Sequence, residues 1–207
     1  MLEFFDLVFF GSVLVTLFVI MDPPGAVPVF LGLTGSRPSK ERNRLAFQAT
    51  FTSFFVIVLF AVLGEQVLSF LKISLPSLQG AGGLLLLLMA LKLLTGVESS
   101  TSDEEQDVNV ALVPLGTPLL AGPGAIVATI LFARQADGAA QYISLALGVV
   151  LIHVLIFLAL RFSGVLARVL GKSGISMVTR IAGLLLAAIG VQLLANSVFG
   201  FIESALG

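Results

Sequence analysis

Met21-Asp22-Pro23-Pro24-Gly25-Ala26-Val27-Pro28 lies inside an apolar run that extends from about residue 12 to residue 34. Proline lacks an N–H and its ring clashes with the carbonyl four residues back, while glycine lowers the cost of unusual backbone angles. The cluster therefore predicts a helix that is interrupted part-way along, with a carboxylate, Asp22, at the interruption. A second stretch of the same kind, Thr117-Pro118-Leu119-Leu120-Ala121-Gly122-Pro123-Gly124-Ala125-Ile126, follows about 99 positions later. Its break falls near the middle of an apolar run over 111–133.

Working outward, the other apolar runs lie at about 44–63, 78–97, 141–160 and 178–200. Each approaches the 20 or so residues that cross a ~30 Å hydrocarbon core. The composition agrees: 57% of residues are hydrophobic and 11% charged, against roughly 45–50% and 25% in soluble domains. The fold class expected is an all-α membrane protein of about six transmembrane helices, with residues 3–11 as an interfacial lead-in. The opening run is not a secretory signal, because Glu3 and Asp6 stand where such signals carry Lys or Arg.

A shift of 99–100 residues superimposes the halves: Pro24-Gly25-Ala26 on Pro123-Gly124-Ala125, and Gly83-Leu84-Leu85-Leu86 on Gly183-Leu184-Leu185-Leu186. Residues 1–97 and 111–207 then form two three-span repeats, joined by an acidic linker over 98–110. Three crossings per half turn the second half upside down, the inverted plan of many secondary transporters. Arg37, Lys40, Arg42, Arg44, Lys92, Arg161, Arg168, Lys172 and Arg180 gather at one end of the spans, and only Lys72 and Arg134 at the other. If the basic end is cytoplasmic, both termini are outside.

Backbone broken at mid-membrane frees N–H and C=O groups where no water can take them up, so the breaks are expected to face protein or a wet cavity. Paired breaks in inverted halves point to a central substrate site formed by Asp22, Pro23, Pro24, Gly25 and Pro28 with Gly122, Pro123 and Gly124. Half-helices beginning near Gly25 and Gly124 would aim N–H groups at a carboxylate. Asp22 has two readings: a ligand for an ammonium, a proton or a coupling cation, or the N-cap of the half-helix that starts Pro23-Pro24. His153 is the only histidine. It either relays protons or hydrogen-bonds across a helix interface. Thr34, Gln48, Thr52, Ser53, Gln79, Thr129 and Gln192 are further polar residues within spans.

The chain carries no HExxH, nucleophile elbow, phosphate-binding loop or Cys/His cluster, so the expectation is a non-enzyme without metal or cofactor. The partners expected are a small-molecule substrate and the lipid bilayer, not nucleic acid, with homo-oligomerisation open.

Asp22–Thr34 (DPPGAVPVFLGLT) and Pro114–Ile126 (PLGTPLLAGPGAI) resemble the two signature segments of the MarC family of bacterial and archaeal membrane proteins. The resemblance extends over nearly the whole chain. It implies a multi-pass protein of a prokaryotic cytoplasmic membrane, related to a neutral amino acid transporter family and more distantly to exporters of the LysE type. The function expected is secondary transport or export of small neutral amino acids, glycine- or alanine-like, by alternating access. The alternatives are an ion or small-solute channel, or a non-transporting membrane scaffold or regulator.

Overall fold

The computed structural model describes residues 5–35, 37–95 and 120–206, and the regular elements among them are helices. They are α1 (Leu7–Met21), α2 (Pro23–Thr34), α3 (Ser39–Phe70), α4 (Leu75–Thr95), α5 (Pro123–Gln135), α6 (Gly138–Arg161) and α7 (Ser163–Leu206). Five stretches are long and apolar enough to cross a membrane: Leu7–Thr34, Ser39–Phe70, Leu75–Thr95, Gly138–Arg161 and Ser173–Ala205. α5, with 13 residues, is about 20 Å long and falls short of a ~30 Å core. The expected fourth span is thus represented by α5 alone. Residues 111–119 of that span, and the linker over 98–110, lie outside the described residues.

The helices overrun the apolar stretches at most ends, because caps and polar turns continue a helix into the interface. The Asp6 carboxylate accepts from the Phe9 N–H at 2.9 Å, so α1 begins at Leu7. Residues 7–11, expected as a lead-in, therefore belong to the first span. The Gln141 amide donates to the same carboxylate at 3.0 Å. The Phe9 N–H first, then the Gln141 amide, hold the Asp6 carboxyl below the usual range. In α7, Gly171 (φ 61°) interrupts the helix in a conformation that disfavours any side chain, and the last span starts beyond it at Ser173.

Polar contacts sort the helix ends onto two faces. Asp6 meets Gln141 and Ser144 at the start of α6. Arg134 near the end of α5 lies 3.8 Å from Glu65 near the end of α3. Ser197 of α7 donates to the Pro76 carbonyl of α4 at 2.7 Å. These ends share one face; Thr34, Ser39, Thr95 and Arg161 end or begin helices at the other, where most of the cations gather. Large apolar side chains such as Val8, Phe55, Phe70, Val169 and Phe199 point outward and are more than half exposed. Apolar cover over the flanks of a helical bundle is what a lipid environment selects.

α4 and α7 form the closest helix pair. A Cβ on Gly83 would stand 2.6 Å from the Gly190 carbonyl oxygen, and one on Gly190 would stand 2.9 Å from the Gly83 oxygen. Small residues let the two backbones touch, the usual basis of helix association in lipid. The contacts are reciprocal under the hundred-residue shift. Gly83 meets Gly190 and Leu194, while Gly183 meets Ala90 and Leu94. The buried positions of α4, Gly82, Gly83, Leu86 and Ala90, recur on α7 as Ala182, Gly183, Leu186 and Gly190.

Candidate functional site

The site begins with what proline does to Asp22. Pro23 disfavours the right-handed helical region at the residue before it, and Asp22 stands in the left-handed region at φ 38°, ψ 67°. Aspartate is among the few residues that visit this region readily. Its N–H still donates to the Phe18 carbonyl at 3.0 Å, closing α1. Its Oδ1 accepts from the Gly25 N–H at 3.2 Å, and its carbonyl from the Ala26 N–H at 3.0 Å, opening α2. One residue therefore caps both helices.

This arrangement changes what the first break offers. Free N–H groups were expected near Gly25, but Pro23 and Pro24 have none, and Asp22 takes those of Gly25 and Ala26. What is released instead is acceptors: the carbonyls of Val19 and Ile20 face Pro23 and Pro24 one turn on and have no helical donor. The first break is thus electronegative.

The start of α5 has the opposite character. Gly122 precedes α5 in extended conformation (ψ 163°), gives no side-chain cap, and is followed by Pro123 at the first helical position. The N–H groups of Ala125 and Ile126 fold back on the Gly122 carbonyl at 3.0 and 3.2 Å. Among the described residues the Gly124 N–H has neither an intrahelical partner nor a cap. With a helix N-terminus behind it, this is a donor position that favours negative charge. Ala121, buried at 3% exposure, stands where the first half has Asp22.

The fold brings the start of α5 close to the break between α1 and α2. A Cβ on Gly124 would stand 3.4 Å from Ile20 Cγ2, two residues before Asp22, and would collide with Leu86 near the middle of α4. Asp22, Pro23, Gly122 and Gly124 are buried, and Pro24 and Gly25 half-buried. Pro28 and Pro123 are exposed, Pro28 on the outer side of α2. The Asp22 Oδ2 atom is buried and, among the described residues, makes no hydrogen bond of ordinary geometry; the same holds for Oγ1 of Thr179 on α7, the side-chain hydroxyl that neighbours the carboxylate. Both crowd the place where a Gly25 Cβ would be, with Thr179 Oγ1 3.0 Å from it.

His153 sits apart from this cluster, on the seam between α6 and α3. Nδ1 lies 2.7 Å from the Val149 carbonyl and Nε2 3.2 Å from Ser53 Oγ. A neutral ring that donates from Nδ1 and accepts the Ser53 hydroxyl proton satisfies both nitrogens. Phe54 packs edge-on against it at 5.3 Å. Ser53 and His153 are 100 positions apart, so each is the other's counterpart under the repeat shift. Replacing Ser53 with Ala leaves a buried ring nitrogen unpaired and should cost about 1–3 kcal/mol, read as a lowered unfolding temperature in detergent with the helical content intact.

Of the other polar residues, Thr34 and Thr129 spend their hydroxyls on the carbonyls four residues back, and Gln192 pairs with Asn196. Sequence reasoning passed over Thr179, a lone hydroxyl at the start of an apolar span with nothing local to mark it. It also passed over a cavity of about 580 Å³ between α3, α5 and α6. The mouth carries Glu65, Gln66, Arg134 and Tyr142, and the depth is lined by Phe54, Ile130 and Val149. The residues of the α1–α2 break and of the start of α5 do not line it.

A bundle of apolar helices, with five stretches long enough to cross a membrane, is the build of a multi-pass integral membrane protein. The chain belongs to the MarC family of integral membrane proteins, whose profile matches residues 7–202. It is 35% identical over 201 residues to a UPF0056 membrane protein of Methanocaldococcus jannaschii, covering 94% of this chain and 98% of that one. It is 34% identical to a UPF0056 membrane protein of Archaeoglobus fulgidus, over 89% of each chain. With the UPF0056 membrane protein YhcE of Escherichia coli it shares 28% identity over 98% of each. No solved structure matches the chain.

Proposed function

We propose that the protein is a secondary transporter of small neutral amino acids, working by alternating access between two inverted halves. The observation that carries this reading is the meeting of the α1–α2 break with the start of α5, which has the opposite polarity. The Gly124 N–H at the start of α5 suits a carboxylate, and the carbonyls released at Val19 and Ile20 suit an ammonium. A zwitterion with a small side chain presents both groups about one carbon apart. Gly25 and Gly124 leave no room for bulk, since a Cβ on either would meet Asp22 or Leu86.

The reciprocal packing of α4 and α7, and the contact of Ser53 with its own counterpart His153, support a two-fold relation between the halves. On that reading the axis runs in the membrane plane, as inverted repeats require. The basic end is taken as cytoplasmic, which puts both termini outside a prokaryotic cell membrane.

Counterflow of labelled glycine, alanine and serine into proteoliposomes tests the reading directly. Saturable exchange of at least one of them is expected. A pore would instead give conductance in planar bilayers that does not saturate at millimolar solute, and a scaffold no flux at all. Either outcome would end the transporter reading.

A further inference from the structure

Asp22 has one carboxylate oxygen to spare. Oδ1 caps α2 through the Gly25 N–H at 3.2 Å. Among the described residues Oδ2 makes no hydrogen bond of ordinary geometry, in a residue only 7% exposed. Among the described residues the ion pairs are those of Arg37 with Glu41 and Arg134 with Glu65, and neither involves Asp22. A lone carboxylate near the middle of a span, with no countercharge, is too costly to hold ionised in an apolar medium. Something positive must accompany it.

The position of the free oxygen narrows what that can be. Beside Oδ2, and 3.0 Å from where a Gly25 Cβ would be, is Thr179 Oγ1, also buried and, among the described residues, without a hydrogen bond of ordinary geometry. The two oxygens approach the same point so closely that a single Cβ on Gly25 would strike the carboxylate and stand 3.0 Å from the hydroxyl. A substituted ammonium would have to place its carbon where even a Cβ on Gly25 strikes the carboxylate. We propose that Asp22 Oδ2 and Thr179 Oγ1 form a site for one small monovalent cation, a proton or a sodium ion, distinct from the place of the solute. As the coupling site of a transporter it rests on the reading above; as a cation site it does not.

Among the described residues, the charged and titratable groups on the packed elements make no ion pair or hydrogen bond with either oxygen. His153 on α6 has both nitrogens engaged by Val149 and Ser53. Arg180, next to Thr179, faces away into an open groove with Met177 and Leu184. Arg161 lies at the end of α6 over Phe162. Arg134 is at the far end of α5 beside Glu65, Lys92 is exposed at the end of α4, and Asp6 is at the start of α1. Arg168 is exposed on the short first part of α7.

The experiment uses the full chain in detergent and needs no flux. Thermal unfolding is followed with sodium exchanged for choline at constant ionic strength, and separately across pH 5–9 at constant sodium. A sodium-dependent rise in midpoint identifies the alkali ion, and a pH-dependent shift that ignores sodium identifies the proton. Asp22→Asn, which keeps a side-chain oxygen to cap α2, should abolish whichever dependence the wild type has. Thr179→Val, which keeps the shape and loses the ligand, should raise the half-saturating cation concentration about tenfold, or move the pH midpoint by about one unit. The site is disproved if the wild type responds to neither cation, or if both variants respond as the wild type does. Absence of any amino acid counterflow alongside a cation response lost in Asp22→Asn would overturn the transporter reading and leave the site standing.

Discussion

Gly25→Ala should lower amino acid flux by on the order of a hundredfold, the penalty that an ångström of misplacement carries in a preorganised site, while the protein still inserts and folds. The added methyl group would collide with Asp22 Oδ2, stand 2.7 Å from Asp22 Cγ and 3.0 Å from Thr179 Oγ1. The carboxylate is the movable party, so it must swing out of the N-cap position. That uncaps α2, at about 1 kcal/mol, and unmakes the oxygen pair with Thr179 as well. Gly32→Ala is the matched control: it lies on the same helix with nothing within 4 Å of its Cβ position, and flux should stay at the wild-type level. Initial rates of counterflow at equal protein density read the difference. Equal loss in both variants would mean that α2 tolerates no added methyl anywhere; equal activity would mean that the Asp22–Gly25 turn has no part in carriage.

That turn also shows what the sequence makes legible. Pro-Pro-Gly after an aspartate dictates a break, and the ladder bonds that proline cannot make are countable from the letters alone. Run length alone was enough for five of the spans, because an uncharged apolar stretch as long as the bilayer is thick suits little besides a membrane crossing. The polarity of the breaks was harder to read. Whether Gly25 offers a free N–H depends on the Asp22 side-chain rotamer, and the cap turns a donor site into an acceptor site. Thr179 is 157 positions from Asp22 in the chain, and only the packing of α2 on α7 brings the two together. The cavity between α3, α5 and α6 is a property of how far helices stand apart, on which periodicity is silent. His153 had two readings in the sequence; the bond to Ser53 fits the one in which it ties helices together.

The cavity is asymmetric in a way that makes the second large effect predictable. Ala146 and Val150 of α6 line it and are exposed, Val150 to 46%. Their counterparts a hundred positions earlier, Ala46 and Thr50 of α3, are 0% and 7% exposed, with Thr50 bonded to the Ala46 carbonyl. Beside them Thr34, which the shift sets against Ala133 at the cavity wall, is also fully buried. If the halves are inverted copies that exchange conformations, the opening must pass from the Arg134 end to the basic end, and Ala46 and Thr50 must take the place that Ala146 and Val150 hold here. The chain contains no cysteine, so single Cys substitutions report without background. Ala146→Cys and Val150→Cys should react with a membrane-impermeant thiol reagent from the Arg134 side, and Ala46→Cys and Thr50→Cys should be inert from either side. A saturating solute, or the coupling cation, moves the population between states by its differential affinity for them. The two pairs should then change in opposite directions, each by about tenfold for a shift of 1.4 kcal/mol. Parallel changes, or none under any solute or cation, would rule out exchange between halves as the way this protein opens.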